Sequence, residues 1–240
     1  MQTSRYEEYL RFEDGVPFVF HDRLVRRSSM GVRRANWHEN LELQLADEGK
    51  GSLLLDGVGV PLEVGMVAVV NSGVIHRTDP EGYLVYSCMI LDSEFCRRAG
   101  FDVQSLCFEP LISDPALVQI FLQIRAAYAD TSYPCRAARL QMLALSLLIH
   151  LREHYTRASR VRKTGGCQTA KAAMEYIRAH DLEPISLQSV ASAIYVNKHV
   201  LARRFKAATG ETVVSYVHAC RCKRAAAMLD AVQAVMEKKV

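Results

Sequence analysis

The N-terminal half of the chain alternates between apolar and polar positions with a period of two. Leu41, Leu43 and Leu45 are separated by polar residues, and Leu53 and Leu55 repeat the spacing. After a turn at 56–59, apolar runs lie at 67–70 and 83–90, and a second turn at 71–73 lies between them. Short strands with turns at roughly 8–12-residue spacing are typical of an antiparallel sandwich or small barrel.

After residue 92 the apolar spacing becomes helical. Asp92 begins a short helix that ends near Gly100, and Asp114-Pro115 is a favourable start for a longer one. A second helix carries a leucine-rich stripe over 140–151. Such a stripe either packs within its own domain or forms a seam between two subunits, and the pattern leaves both open. With the strands before it, this predicts an α+β protein.

The stretch 156–167 is basic, contains Gly-Gly and lacks apolar periodicity, which predicts a flexible linker. Beyond it, 170–177 has helical spacing. Ser186 and Asn197 are then suited to cap two short helices, and Gly210 to end the second. These three helices are followed by a fourth, which begins after Thr212.

One face of the helix after Asn197 carries cations and hydrogen-bond donors. Five residues, separated from one to the next by 1, 3, 1 and 3 positions, lie on one strip of the helix: Lys198, His199, Ala202, Arg203 and Lys206. This strip suits either insertion into the DNA major groove or the solvated side of an ordinary helical hairpin.

Charge favours the first alternative. The net charge is +4 over 240 residues, but 151–240 hold 16 Lys/Arg against 7 Asp/Glu (+9), and 1–150 hold 14 against 19 (−5). A basic end joined to an acidic remainder indicates a polyanion-binding module. There is no apolar run long enough to span a membrane and no signal peptide. Seven scattered cysteines without a CxxC pair indicate reduced thiols, so we expect a cytoplasmic protein.

Three polar residues of the strand-rich region form a candidate ligand set. His38, Glu42 and His76 resemble the two signature motifs of the cupin barrel, in which such residues can bind a divalent metal. Asn36 and Ser72 depart from that pattern at a histidine and a proline position. The three side chains either hold a metal or only hydrogen-bond each other and an internal effector. We expect an effector pocket without a cofactor.

The C-terminal part resembles the AraC/XylS family of bacterial transcription regulators. The resemblance rests on Asn197, Lys198, Leu201, Arg203, Phe205, Lys206, Thr209 and Gly210, and on Tyr216, Val217, Arg221, Ala225, Met228 and Leu229. It implies a helix-turn-helix in which His199, Ala202 and Arg203 face DNA bases and Lys198, Lys206 and Arg204 face phosphates, with Asn197 opening the helix. It also implies double-stranded DNA, a small-molecule effector such as a sugar, and a second copy of the chain as partners.

The resemblance implies four segments: a cupin-like sensor barrel (1–112), a helical dimerisation element (113–156), a linker (157–167) and the DNA-binding domain (168–240). Only eleven residues follow Leu229, so the family's second helix-turn-helix unit is expected to be missing. We expect a regulator, impaired by that loss, and no enzyme. The alternatives are a metal-dependent cupin enzyme and a non-DNA-binding partner that inhibits an intact regulator.

Overall fold

The computed structural model describes residues 12–13, 15–30, 34–157 and 165–237. The strands are β1 (Phe18–Arg27), β2 (Leu41–Leu55), β3 (Val58–Glu63), β4 (Val67–Val70), β5 (His76–Leu91) and β6 (Leu111–Ile112). The helices are α1 (Ser93–Arg98), α2 (Pro115–Ala129), α3 (Arg136–His154), α4 (Gly165–His180), α5 (Leu187–Ala193), α6 (Lys198–Thr209) and α7 (Val213–Glu237). The chain separates into two compact units, Met1–Arg162 and Lys163–Val240.

The strands form one antiparallel sheet in the order β1-β5-β2-β4-β6, with β3 beside β2. The predicted antiparallel sheet is confirmed, while its closure into a barrel stays a prediction. The last predicted strand, from Tyr83, was too short, because β5 begins at His76. Residues 76–80 pair with the second half of β2. That pairing outweighs the weak strand propensity of Asp79, Pro80 and Gly82.

One face of the sheet is covered by α2 and α3. Leu41, Leu43 and Leu45 lie on this face and are buried with Phe121 of α2 in one apolar cluster. The leucine-rich stripe of α3 belongs to the same cluster, through Leu140, Leu143, Ala144, Leu147, Leu148 and Leu151. The stripe therefore packs within its own unit, and it is not the seam between subunits that the sequence left open.

Asp114 starts α2 as the sequence predicts, and it also ties that helix to α3. Its carboxylate accepts the Ala116 N–H (2.8 Å) and the Tyr155 hydroxyl proton (2.9 Å), and it lies 2.7 Å from His150 Nε2. The hydrogen bond from His150 is the largest cause that lowers the pKa of Asp114 to about 2, from an ordinary value of 3.8. Because the folded pKa is depressed, this carboxylate stabilises the fold above pH 3.8 and loses that effect as pH falls toward 2.

Asp114→Asn should therefore lower the melting temperature near pH 6 and have a much smaller effect near pH 2, where about half of the carboxyl groups are protonated. Asparagine still caps a helix but carries no charge, so the substitution isolates the ion pair. Thermal unfolding of both proteins between pH 2 and pH 6 would test this. A difference in melting temperature that stays constant over the whole range would contradict it.

The second unit contains α4 to α7, and its helix ends are capped as expected. Ser186 and Ser189 form a capping box at α5, and the Asn197 side chain accepts the His199 N–H (2.8 Å) at α6. Gly210 ends α6 with φ +77°. Thr212 Oγ1 accepts the Ser215 N–H at the start of α7. These contacts are local in sequence, which is why the pattern predicts them.

The predicted linker 157–167 is too long at its C-terminal end. Residues 165–167 already belong to α4, and Cys167 is buried there, because its apolar side chain packs in the second unit. The part of the linker at 158–164 lies outside the described residues. All seven cysteines are free thiols. Within the described ranges, no helix combines the length and the apolar character that crossing a bilayer requires.

Candidate functional site

The Glu42 carboxylate lies at the centre of a buried polar cluster. Glu42 and Gln44 point away from the helix-covered face because they alternate with the leucines of β2. His38 Nε2 is 2.9 Å and His76 Nε2 is 3.3 Å from Glu42 Oε2. Gln44 Nε2 (2.7 Å) and Cys88 Sγ (3.2 Å) donate to Oε1. The structure thus brings together the three residues predicted from the cupin-like spacing.

Both imidazoles are oriented by backbone carbonyl groups. His38 Nδ1 is 3.1 Å from the Asn40 carbonyl oxygen, and His76 Nδ1 is 3.0 Å from that of Val74. A carbonyl oxygen only accepts, so each Nδ1 carries a proton. Each Nε2 then either donates to the Glu42 carboxylate from a charged ring or presents a lone pair.

The charge of this cluster shifts the acid–base equilibria of its members. Burial favours the neutral form of Glu42, but the charge of His76 and hydrogen bonds from both histidines outweigh it, so the pKa of Glu42 lies well below its usual value. Burial likewise opposes the charged form of His76, yet the Glu42 carboxylate raises the pKa of His76. Burial, followed by the Glu42 charge, raises the pKa of the Cys88 thiol well above its usual value.

The same three side chains fit a divalent transition metal. Their ligand atoms, two imidazole nitrogens and one carboxylate oxygen, all lie within 4.8 Å of one another. Nitrogen and oxygen donors of this kind suit zinc, iron or manganese. The two carbonyl groups that accept from Nδ1 hold each imidazole in place, as such acceptors usually do for metal-bound histidines.

A cavity of about 210 Å³ opens beside the cluster, on the face of the sheet opposite α2 and α3. Glu42 and His76 line it, whereas His38, whose side chain is fully buried, does not. Its wall is apolar on one side, formed by Leu24, Tyr86 and Ile90. The remaining lining is polar and includes three arginines: Arg26, Arg34 and Arg77.

Arg26 reaches this cavity because β1 contains a bulge. The pairing of β1 with β5 slips by one residue between His21 and Leu24, and Arg23 there has φ +47°. An extra residue reverses which side chains face each side of a sheet. Phe20 before the bulge therefore packs under α2, whereas Arg26 after it lines the cavity. Strict alternation would place both on one face, so sequence reasoning missed the arginine.

The second candidate site is the outer face of α6. Leu201, Phe205 and Ala208 bury the inner face of this helix, and Lys198, His199, Arg203 and Lys206 are exposed. Ala202 lies between them, half-buried. The predicted strip is therefore accessible within its unit.

Two arginines near this strip support the fold of the second unit. Arg204 NH1 donates to Thr169 Oγ1 of α4 (3.1 Å). Arg221 of α7 donates to the backbone carbonyl groups of Asp181 (2.9 Å) and Glu183 (2.7 Å). Arg221 therefore braces α7 against the segment that follows α4.

Comparison with known proteins identifies the first unit. The family model of the AraC-like ligand binding domain matches residues 23–148. This chain belongs to that family. A comparison with curated proteins found no match by sequence. Among solved structures, the AraC-like chain is similar to ToxT from Vibrio cholerae O395, with 8% identity over 90% of this chain and 83% of that chain, and a TM-score of 0.46. It is also similar to the AraC-like transcriptional activator CuxR, with 11% identity, 87% and 73% coverage, and a TM-score of 0.37.

The AraC-like domain match contains most of the candidate pocket. Arg26, Glu42 and His76 fall within residues 23–148, as do strands β2 to β6 and the helix α2, whereas His21 and the start of β1 precede the match. The exposed face of α6 lies outside the match. The two candidate sites are therefore in different units of the chain.

Proposed function

We propose that this AraC-like protein is a transcription regulator that binds double-stranded DNA through α6 and a small-molecule effector in the pocket beside Glu42. The observation that carries the proposal is the outer face of α6. Four exposed side chains with hydrogen-bond donors project from a helix whose opposite face is buried. A helix held from one side in this way suits the major groove, where donors meet base edges and phosphates.

The spacing on α6 suggests a role for each side chain. His199, Ala202 and Arg203 would face base edges, and Arg203 is suited to donate two hydrogen bonds to one guanine. Lys198 and Lys206 would contact phosphates and supply affinity that is independent of sequence. Arg204, proposed for a phosphate as well, is held by Thr169, so we assign it mainly to positioning α6 against α4.

Arg203→Ala tests the DNA-binding role directly. We expect it to weaken binding to a duplex selected by this protein from a random pool by about 1–3 kcal/mol, because a bidentate base contact is lost. Binding to an unselected duplex should change little. Fluorescence anisotropy with both duplexes at fixed salt measures the two effects.

Two matched variants give this experiment its controls. Lys206→Ala should weaken binding to both duplexes alike and reduce the slope of log affinity against log salt by about 0.9, as loss of one phosphate contact requires. Arg98→Ala removes the same charge from α1, where the side chain is exposed in the other unit. If Arg203→Ala behaved like Arg98→Ala, α6 would not read DNA sequence.

We also propose that two copies of the chain associate through the outer face of α3. Met142 and Ile149 are 60% and 47% exposed and lie seven residues apart, two turns along one side of that helix. Leu145 lies half-buried between them. This surface is distinct from the buried leucine-rich stripe and supports the dimerisation role predicted for 113–156. A pair of α6 helices would add affinity for paired DNA half-sites.

A further inference from the structure

We infer that the pocket beside Glu42 takes a small effector with an oxyanion group, a carboxylate or a phosphate, and that Arg26 is its main contact. The inference rests on the proposed function in that this pocket is taken as the effector site. It adds the chemical class of the effector, which neither the family match nor the cupin-like motif assigns.

The charges lining the pocket leave Arg26 without a counter-ion. Arg77 is paired with Asp79 (2.8 Å), and the Glu42 carboxylate is already engaged by two histidines and Gln44. Over the described residues, no carboxylate lies within salt-bridge distance of Arg26. A partly buried guanidinium without an acidic partner is electrostatically suited to an anion.

The hydrogen bonds of Arg26 point the same way. Its NH1 donates to the Val25 carbonyl oxygen (2.8 Å), while its Nε is buried and has no partner. The guanidinium carbon lies 5.5 Å from the centre of the Tyr86 ring, and this cation–π contact holds the group beside the pocket wall. The remaining N–H groups of this guanidinium can donate to an oxyanion in the cavity, and hydrogen bonds between charged groups are stronger than neutral ones. Arg34 lines the same cavity and adds positive charge.

The rest of the lining indicates what carries the anion. Thr78 donates its hydroxyl proton to Gln44 Oε1 (2.8 Å), which leaves the Thr78 oxygen able to accept from a ligand hydroxyl. Leu24, Tyr86 and Ile90 offer an apolar wall for a carbon skeleton. A dry cavity of about 150 Å³ holds a six-carbon ring. The volume of about 210 Å³ therefore suits a six-membered ring that carries substituents.

Matched acid and neutral probes test the inference on the full-length protein. The pairs are 4-hydroxybenzoate with 4-hydroxybenzamide, glucuronate with glucose, and glucose 6-phosphate with glucose. We expect at least one acid to raise the melting temperature and to bind in calorimetry, while its neutral counterpart does not. These pairs also distinguish an aromatic acid, a sugar acid and a sugar phosphate as the source of the oxyanion.

Substitutions then assign the contact to Arg26. Arg26→Gln should weaken binding of that acid at least about tenfold, since hydrogen bonds to a charged group are lost. Arg26→Lys keeps the charge but lacks the planar guanidinium, so its affinity for the acid should lie between those of Arg26→Gln and the unaltered protein. An intermediate affinity would show that the loss in Arg26→Gln is not caused by a folding defect. Arg98→Gln, in α1, should bind like the unaltered protein.

The inference fails if no acid binds, if neutral probes bind as well as acids, or if both Arg26 variants keep full affinity. DNA binding separates this failure from that of the proposed function. Acids that bind through Arg26 without changing the affinity for DNA would support the oxyanion site and contradict effector-responsive regulation. If the protein binds DNA but none of the acids, only the oxyanion site is contradicted.

Discussion

Asp47→Ala should lower the free energy of unfolding of the first unit by about 3 kcal/mol, near the lower end of the usual cost of removing one partner of a buried ion pair, because Arg125 keeps Asp22 as a weaker partner. Asp47 Oδ1 is 2.6 Å from Arg125 NH2, and this ion pair joins β2 to α2. Ser87 Oγ donates to the same carboxylate (2.9 Å). Only 8% of the Asp47 side chain and 20% of the Arg125 side chain are exposed, so water replaces the lost carboxylate only in part.

The same guanidinium provides the control. Arg125 Nε lies 2.9 Å from Asp22 Oδ1, but the Asp22 side chain is 50% exposed. Asp22→Ala should therefore cost at most about 1 kcal/mol, as exposed ion pairs do. Urea unfolding can be followed by the fluorescence of Trp37, the one tryptophan of the chain, which is buried in this unit. Equal costs for the two variants would show that burial does not set the strength of this cluster.

Phe205→Ala should destabilise the second unit by about 3–5 kcal/mol, so that α6 is no longer held in a fixed position. Phe205 is fully buried on the inner face of α6, and its ring lies 5.4 Å from that of Tyr216 in an edge-to-face contact. Alanine removes that contact and leaves a cavity, and both effects reduce stability. Since α6 carries the proposed DNA contacts, DNA affinity should be lost together with the fold of this unit.

Hydrogen exchange measured by mass spectrometry can locate the effect. Amides of α4 and α6 that exchange by global opening of the unit should exchange about a hundredfold faster or more in Phe205→Ala. Met228→Ala is the control, because the Met228 side chain on α7 is exposed and its loss should change little. Unchanged protection in α4 and α6 would contradict the role of Phe205 in holding the helix.

The histidine and glutamate cluster could be predicted from sequence, but the arginine beside it could not. His38, Glu42 and His76 fit a known motif, and Glu42 alternates with leucines that mark the buried face of β2. Arg26 follows a bulge that no residue type in β1 predicts. The bulge reverses which face of the sheet each later side chain of β1 lies on. The sequence-based pocket accordingly included His38, which does not line the cavity, and lacked the cation that faces it.

Helices of the second unit were predictable because their signals are local. Ser186, Asn197 and Gly210 act through hydrogen bonds or backbone angles within four residues of themselves. The partner of an amphipathic face is not a local property. The leucine stripe of α3 fitted either its own unit or a second subunit, and only packing distinguished these alternatives. Arg204 was predicted to face a phosphate, and its hydrogen bond to Thr169 of α4 depends on a contact that the sequence does not reveal.

By itself, the sequence determined the strand and helix types, the capped helix ends, the charge difference between the two halves and the two histidines that contact Glu42. Tertiary structure decided which side chains line the pocket, which leucines are internal and which arginine is left facing a cavity. The physical reason is the distance along the chain over which each interaction acts. Hydrophobic periodicity and caps act over a few residues, whereas strand register and burial depend on segments that meet only when the chain folds.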